Sequence, residues 1–140
     1  LQNMACSGNC IFIECDSPWT SILIDSVYTY NNVDNVTLST ITLPENTSVH
    51  ITSRIEAVRR AGPAGVPGET WQYTVITRAK NIAGVVTVSP PLITSFLDTA
   101  EPILTYIPGV NSVVVNVIGA ANKTIFWVAK HELIKVGYAP

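Results

Sequence analysis

The sequence predicts an all-β protein in which two antiparallel sheets pack as a sandwich or jelly roll. Val, Ile and Thr, which are stiff at χ1 and suit a pleated surface, make up about a third of the 140 residues. Nine Pro and eight Gly interrupt the chain at short intervals. Between these interruptions apolar and polar residues alternate, and no segment has a convincing helical period. Short strands joined by turns are therefore expected throughout.

Alternation with a period of two predicts three strands in the first half of the chain, at residues 21–30, 36–43 and 49–58. The apolar phase of the second strand shifts between Leu38 and Ile41, which predicts a β-bulge. The third strand is the most regular and has two distinct faces. Its inward face is Val49, Ile51, Ser53, Ile55 and Ala57, and its outward face is His50, Thr52, Arg54 and Glu56.

Six further strands are predicted in the second half, at residues 71–80, 85–88, 92–97, 103–107, 112–118 and 125–133. Trp71 and Trp127 each lie on the apolar face of an alternating segment, so both are expected in the core. Residues 112–118 are almost continuously apolar, which predicts burial on both faces. Pro90 and Pro91 separate two of the strands, because proline cannot donate a ladder hydrogen bond.

The composition excludes several classes of protein. The chain is 47% hydrophobic and 13% charged, whereas disordered chains are polar and highly charged. Eight scattered Lys and Arg residues against ten acids argue against nucleic-acid binding. No apolar run approaches the roughly 18–20 residues of a membrane-spanning helix, so membrane insertion is not expected. Because so few charges must cover the surface, we expect a large apolar face shared between copies of the chain.

The chain is expected to have one of two domain organisations. Residues 49–140 are predicted to form the sandwich, and residues 1–48 an N-terminal segment whose strands pack on it or link to it. A single domain over residues 1–140 is the alternative. Cys6, Cys10 and Cys15 lack a nearby fourth ligand, so a metal site is not expected. Three buried thiols are favoured over one disulfide and one thiol.

A loop with glycine at every third position interrupts the pattern between residues 61 and 69. Its glycines and prolines are Gly62, Pro63, Gly65, Pro67 and Gly68. This is the period of collagen, in which only glycine fits where three chains meet. Three triplets cannot hold a triple helix, so the simpler hypothesis is a surface hairpin loop. The alternative is a loop at the threefold axis of an oligomer.

No motif predicts catalysis or a cofactor. His131-Glu132 begins like H-E-x-x-H, but Lys135 occupies the second histidine position. Residues 119–124 end like a phosphate-binding loop, but Asn122 replaces the required glycine. His50 and His131 are both predicted to face outward. The acid pairs Glu14/Asp16 and Asp98/Glu101 lie in turns or at strand ends, where solvated carboxylates are the ordinary expectation.

Residues 49–136 resemble the C-terminal β-domain of fibre and spike proteins of tailed phages. The segment W-Q-Y-T-V-I-T-R-A-K-N-I-A-G-V-V at residues 71–86 looks like their strand–turn–strand unit, in which a Trp strand carries Arg. Residues 113–129 close like their V-x-V-x-G…T-I-x-W-V-A ending. The likeness depends on hydrophobic spacing together with Trp71, Gly119, Trp127 and Ala129. The first 48 residues, the cysteines and the glycine loop depart from the pattern.

This resemblance implies a trimeric module on the surface of a phage particle, in a fibre, a spike or a capsid decoration. It would be structural or host-binding and not an enzyme, with other virion proteins and a host-surface glycan or protein as partners. The alternative is a secreted adhesion or carbohydrate-binding β-sandwich, in which two or three exposed aromatic residues form a platform for sugars. A glycan hydrolase is the third hypothesis and has no motif to support it.

Overall fold

The computed structural model describes residues 19–32 and 35–139, which form nine strands and no helix. The strands are β1 (Thr20–Thr29), β2 (Asn35–Thr42), β3 (Thr47–Ala61), β4 (Thr70–Ile82), β5 (Val85–Val88), β6 (Leu92–Leu97), β7 (Ile103–Gly109), β8 (Ser112–Ile118) and β9 (Thr124–Gly137). Within these described ranges, no helix exists that could cross a membrane. Cys6, Cys10, Cys15, Glu14 and Asp16 lie outside them.

The strands form two antiparallel sheets, so the predicted all-β sandwich is confirmed. The large sheet has six strands in the order β1-β9-β3-β4-β5, with β6 also paired to β4. The small sheet has three strands in the order β2-β8-β7. Strand β4 is long enough to pair with β6 along Trp71–Ile76 and with β5 along Ala79–Ile82. Pro90 and Pro91 fall between those two partners, where the chain leaves the ladder.

Tertiary pairing sets the strand lengths. The bounds of β5, β6 and β8 match the sequence prediction, whereas β3 and β9 extend beyond their alternating segments. These two strands pair with each other from Thr47↔Gly137 to Ala61↔Thr124, and the ladder hydrogen bonds carry both past the regular pattern. The bulge predicted in β2 is present as a register shift between Thr37 and Ser39.

The core lies between the sheets and is built from alternate residues of their facing strands. The predicted inward face of β3 is buried along its whole length, and its predicted outward face is more exposed. Trp71 and Trp127 are both completely buried, as predicted. In β8, Val113, Val115 and Val117 are buried, while the opposite face of that strand is half-buried.

Two residues of the motif described above, Gly119 and Trp127, meet at the side chain of Thr29. The Trp127 indole donates Nε1–H to Thr29 Oγ1 at 3.0 Å. Gly119 lies against the same hydroxyl, and a Cβ at that position would meet Thr29 Oγ1 at 2.5 Å. Trp127 also stacks on Tyr73, with ring centroids 6.2 Å apart. Glycine at 119 is therefore required by the close approach of the chain to Thr29.

The strands before residue 49 belong to the two sheets. Strand β1 pairs with β9 at the edge of the large sheet, and β2 pairs with β8 in the small sheet. Asn81 also ties this region to the rest, because its Nδ2 donates to the Leu43 carbonyl at 2.8 Å. The expected domain boundary at residues 48 and 49 stays a prediction.

Replacing Trp127 with Ala should lower the free energy of unfolding by about 3–5 kcal/mol, because it leaves a large cavity and an unpaired Thr29 hydroxyl. Urea denaturation followed by circular dichroism measures this change. Val110→Ala is the control: Val110 is 91% exposed, so its truncation should change stability by less than about 0.5 kcal/mol. Equal effects of the two substitutions would contradict the placement of Trp127 in the core.

Candidate binding surface

The outer face of the large sheet presents a band of polar side chains across its middle. We call this the polar band, and its members are Arg54, Glu56, Gln72, Thr74, Lys130 and Glu132. Strand pairing aligns them, since Glu56 lies opposite Gln72, and Arg54 lies opposite both Thr74 and Lys130. Each is the outward neighbour of a core residue in β3, β4 or β9, so the alternation that builds the core also builds the band.

The groups of the polar band contact one another weakly. Gln72 donates Nε2–H to Glu56 Oε2 at 3.2 Å. Arg54 Nη1 lies 3.6 Å from Glu132 Oε1, and Lys130 Nζ lies 3.9 Å from Glu132 Oε2. Exposed ion pairs of this kind contribute about 0–1 kcal/mol. These side chains can therefore give up their contacts with one another and bind a ligand at a small cost in free energy.

A shallow groove of about 300 Å³ follows the band. Side chains of Arg54, Glu56, Gln72, Thr74 and Lys130 line it, and Val128 forms its apolar end. These groups supply guanidinium, ammonium, amide and hydroxyl donors together with carboxylate acceptors. A hydroxyl-rich or anionic ligand lying along the sheet would find a hydrogen-bonding partner at each step.

An aromatic cluster lies beside the band on the same face. The rings of Tyr28 and Tyr30 stack with centroids 6.0 Å apart, and Tyr28 meets Phe126 at 4.7 Å. The Arg60 guanidinium lies 4.8 Å from the centre of the Phe126 ring. Of the aromatic residues in the sequence, Trp71, Tyr73, Tyr106 and Trp127 are buried, while Tyr28 and Tyr30 are exposed.

The glycine loop connects β3 to β4 and adopts turn geometry. Gly62, Gly65 and Gly68 have φ values of 112°, 77° and 89°. Chains of a collagen helix have φ near −75°, so the glycine period here serves positive-φ turns. Arg59 holds the loop by donating Nε–H to the Ala64 carbonyl and Nη2–H to the Gly62 carbonyl, at 2.8 and 2.6 Å. The position of Gly62, Pro63, Gly65, Pro67 and Gly68 at an oligomer axis stays a prediction.

A buried ion pair lies beneath this loop, and the sequence did not predict it. Lys123 Nζ is 3.0 Å from Glu69 Oε1, with side-chain exposures of 4% and 10%. The ammonium also lies 5.4 Å from the centre of the Trp71 ring and 3.9 Å from Glu101 Oε1. A Cβ on Gly65 would overlap the Glu69 carboxylate. This ion pair joins the β3–β4 loop to the turn before β9.

The prediction that His131 faces outward is wrong, whereas His50 is exposed as expected. His131 is completely buried between the sheets because position 131 shares the inward face of β9 with Trp127 and Leu133. Its Nδ1 lies 2.6 Å from Ser53 Oγ, and its Nε2 lies 2.8 Å from Ser39 Oγ. The alternation of β9 was the signal that could have revealed this position.

The Ser53–His131 contact has the spacing of a nucleophile and its general base. Both side chains are completely buried, however, and the second imidazole nitrogen is held by Ser39 from the other sheet. No substrate can reach this pair in the folded protein. The contact therefore serves as a polar link between the two sheets, with all imidazole bonding capacity used.

Burial lowers the pKa of His131, and the charge of Asp25 on β1 opposes that shift. Tyr106 places its ring edge-on to the imidazole, with centroids 6.5 Å apart. Burial raises the pKa of Tyr106, and that of Tyr73, to about 12. His131 is thus held in its neutral form among neutral hydroxyl groups.

The acids at the β6–β7 connection have structural partners. Asp98 Oδ2 accepts the Thr70 backbone N–H at 2.9 Å, and Glu101 faces Lys123. Over residues 19–32 and 35–139, no three His, Cys, Asp or Glu side chains are grouped closely enough to hold a metal ion. The polar band is therefore the candidate binding site.

Comparison with known proteins finds similarity in fold. No family model matches the sequence, and no curated protein matches it. The chain is similar to a tailspike protein of Acinetobacter baumannii phage AM24, with a TM-score of 0.46 and 10% identity over 84% of this chain and 27% of that one.

Two further tailspikes are similar at lower scores. One is gp49 of Acinetobacter baumannii bacteriophage Fri1, described as a capsular polysaccharide depolymerase, with a TM-score of 0.39 and 11% identity over 86% of this chain and 20% of that one. The other is from Acinetobacter phage vB_ApiP_P1, with a TM-score of 0.37 and 14% identity over 80% and 21%. The chain therefore spans less than a third of each protein.

Protein stability should fall as the pH is lowered from 8 towards 5, in part through His131. The pKa of His131 is lower in the folded protein than in the unfolded chain, so the unfolded chain takes up a proton at a higher pH. The free energy of unfolding therefore decreases as the pH falls below the unfolded pKa of about 6.5. The contribution approaches at most about 1.4 kcal/mol per pH unit. Urea midpoints of wild type and His131→Gln at each pH isolate it, and parallel curves for the two proteins would refute it.

Substitution of Gly65 with Ala should destabilise the protein more than substitution of Gly68 with Ala. Both positions have positive φ, so each change adds about 1–2 kcal/mol of backbone strain. A Cβ on Gly68 meets nothing within 4 Å, whereas one on Gly65 displaces Glu69 from Lys123. Loss of that buried pair should bring the Gly65→Ala effect to about 3–5 kcal/mol. Equal unfolding midpoints for the two variants would show that Glu69 and Lys123 rearrange around the added methyl group without loss of stability.

Proposed function

We propose that this chain is a non-enzymatic structural and attachment module of a bacteriophage particle. In this proposal it forms part of a fibre, a spike or a capsid-decoration protein at the virion surface. It assembles as a homotrimer beside other virion proteins, and its polar band binds a host-surface glycan or protein. The observation that carries the proposal is the polar band itself, an exposed row of hydrogen-bonding groups fixed on a rigid sheet.

The sequence motif shared with phage fibre and spike proteins supports the particle assignment. Its distinguishing residues have demanding structural roles here: Trp71 and Trp127 fill the core, and Ala129 is completely buried. Gly119 allows close contact with Thr29. The motif residues are thus residues on which the packing of this sandwich depends. A protein with the same motif is expected to pack its sheets in the same way.

The chemistry of the polar band supports a glycan as the bound partner. Arg54, Gln72 and Lys130 are donors, Glu56 and Glu132 are acceptors, and the hydroxyl of Thr74 is both. Sugar hydroxyls use both kinds of partner, and acidic sugars add a charge that Arg54 and Lys130 complement. Because a rigid sheet presents these groups, little conformational entropy is lost when they bind.

Binding without turnover is supported by the state of the candidate catalytic groups. The Glu56 carboxyl group is exposed and that of Glu132 is half-buried, so neither is enclosed by the protein. A general acid at neutral pH needs a raised pKa, which proteins obtain by burying the carboxyl group. The Ser53–His131 pair is sealed in the core.

A secreted carbohydrate-binding sandwich outside any virus is the second candidate function. The stacked Tyr28 and Tyr30 favour it, because an exposed aromatic pair can support the apolar face of a sugar ring. Molar mass separates the two functions. A stable trimer supports the virion module, and a monomer that binds glycan supports the secreted module.

An array of purified bacterial surface polysaccharides tests the binding proposal. The double variant Arg54→Ala/Gln72→Ala should bind its best glycan at least tenfold more weakly than wild type, because it loses two polar contacts worth about 1 kcal/mol or more each. Arg78→Ala is the matched control, since Arg78 lies on the same face of β4 outside the band.

Assays for new reducing ends in the same incubations test for turnover. We expect none from wild type or from either variant. Equal binding by wild type and the double variant would place the ligand elsewhere, and release of oligosaccharides would show that the module is an enzyme.

A further inference from the structure

Exposed apolar side chains line the two edges of the large sheet, on its outer face beside the polar band and, at β6, on its inner face as well. The β6 flank consists of Ile76, Leu92, Ile93, Phe96 and Leu97. The β1 flank consists of Ile22, Ile24, Tyr28 and Tyr30. Phe96 and Leu92 are 73% and 72% exposed, and Ile24 is 64% exposed. From one edge of the sheet to the other, its exposed surface is therefore apolar, then polar, then apolar again.

Strand β6 is exposed on both faces. Among residues 19–32 and 35–139 its only strand partner is β4, and the small sheet does not extend over it. Ile93 and Leu97 share rows with the core residues Val75 and Trp71, yet they remain 46% and 41% exposed. The sandwich is therefore open along this edge, and side chains on the core side of the strand meet solvent.

An edge strand of this kind normally carries protection against pairing with other chains. Lysine, inward-pointing charge, a bulge or proline within the strand are the usual devices. The strand L-I-T-S-F-L has no charged residue and no proline, and its pairing with β4 has no register shift. Such an edge is expected to be covered in the working protein.

The area of the two flanks matches one standard interface. With about 150–250 Å² for an aromatic side chain and less for Ile and Leu, the exposed fractions give roughly 800 Å² of apolar surface for the two flanks together. A standard interface buries about 1,600 Å² in total, of which about 56–65% is apolar. Either flank alone is no larger than the apolar patch of an ordinary monomer.

We propose that the β6 flank of one copy packs against the β1 flank of the next copy. The flanks are different surfaces at opposite ends of the same sheet, so this contact is head-to-tail, and in the proposed homotrimer three such contacts close into a ring. Every copy then has both flanks covered. Pairing β6 with β6 across a twofold axis would leave both β1 flanks open.

The inference deepens the proposed function, on whose homotrimer it rests, and it names the surfaces that meet. In such a ring the polar band lies between two interfaces in every copy. Its groove stays open to solvent while the apolar surface on each side is buried. The same arrangement accounts for a chain with 13% charged residues, because the uncharged edges are not solvent surface in the assembly.

Site-directed cross-linking tests the arrangement, in a background where Cys6, Cys10 and Cys15 are replaced by serine. The double variant Ile24→Cys/Phe96→Cys, treated with a short bismaleimide, should give covalent dimers and trimers on a denaturing gel. Ile24→Cys alone and Phe96→Cys alone should give no product. Thr52→Cys/Phe96→Cys is the matched control and should also give none, because Thr52 lies in the middle of the outer face.

The outcomes separate this inference from the proposed function. A trimer by native mass spectrometry with no cross-link in the double variant overturns the flank contact and leaves the trimeric module standing. Dimers from Phe96→Cys alone overturn it in favour of twofold β6 pairing. A monomer at micromolar concentration removes the trimer and the inference together, while glycan binding by that monomer would still support the polar band.

Charge substitutions give a second, independent readout. Phe96→Glu and Ile24→Glu should each shift the trimer to folded monomer, since each puts a carboxylate into an apolar contact. Val110→Glu, at a residue 91% exposed outside both flanks, should leave the trimer intact. Circular dichroism confirms that each variant is folded. A trimer that survives both flank substitutions would overturn the inference.

Discussion

The antiparallel pairing of β3 with β9 is the constraint on which the rest of this structure depends. The two longest strands run together from Thr47↔Gly137 to Ala61↔Thr124 in the middle of the large sheet. Strand β4 is added on one side and β1 on the other. Because side chains alternate strictly along a strand, this one register decides which residues of both strands enter the core and which form the polar band. A shift by one residue would exchange Ile55 with Glu56.

Polar groups fix the parts of the fold that apolar packing leaves adjustable. His131 links the sheets through Ser53 and Ser39, and Lys123 with Glu69 closes one end of the sandwich. Hydrophobic contacts tolerate sliding, whereas a buried donor or ion pair has one satisfactory arrangement. Both networks use residues from distant parts of the chain, so they form only when the two sheets have docked correctly.

Core and surface are coupled most closely in the large sheet. Its inner face is apolar along β3, β4 and β9, and its outer face changes from apolar at the edges to polar in the middle. The unequal size of the sheets adds to this division, since the three-stranded sheet leaves β6 uncovered. A surface divided in this way suits a protein that meets its own copies at the edges and another molecule in the middle.

Alternation of apolar and polar residues predicts the type of the described elements and most of their faces, because alternation is a local property of the chain. Strands β5, β6 and β8, the bulge in β2 and the burial of Trp71 and Trp127 all follow from it. The same rule places His131 inward, so the outward prediction was wrong.

Which strands become neighbours follows from tertiary packing, since pairing joins residues far apart in the chain. The polar band required this knowledge, because Arg54, Gln72 and Lys130 lie on three different strands. The burial of Lys123 also could not be predicted without the strand neighbours. Lys123 lies in a turn, where no alternation exists to indicate its environment. The exposure of β6 depends on where the small sheet ends, and that follows from packing between sheets and not from any local pattern.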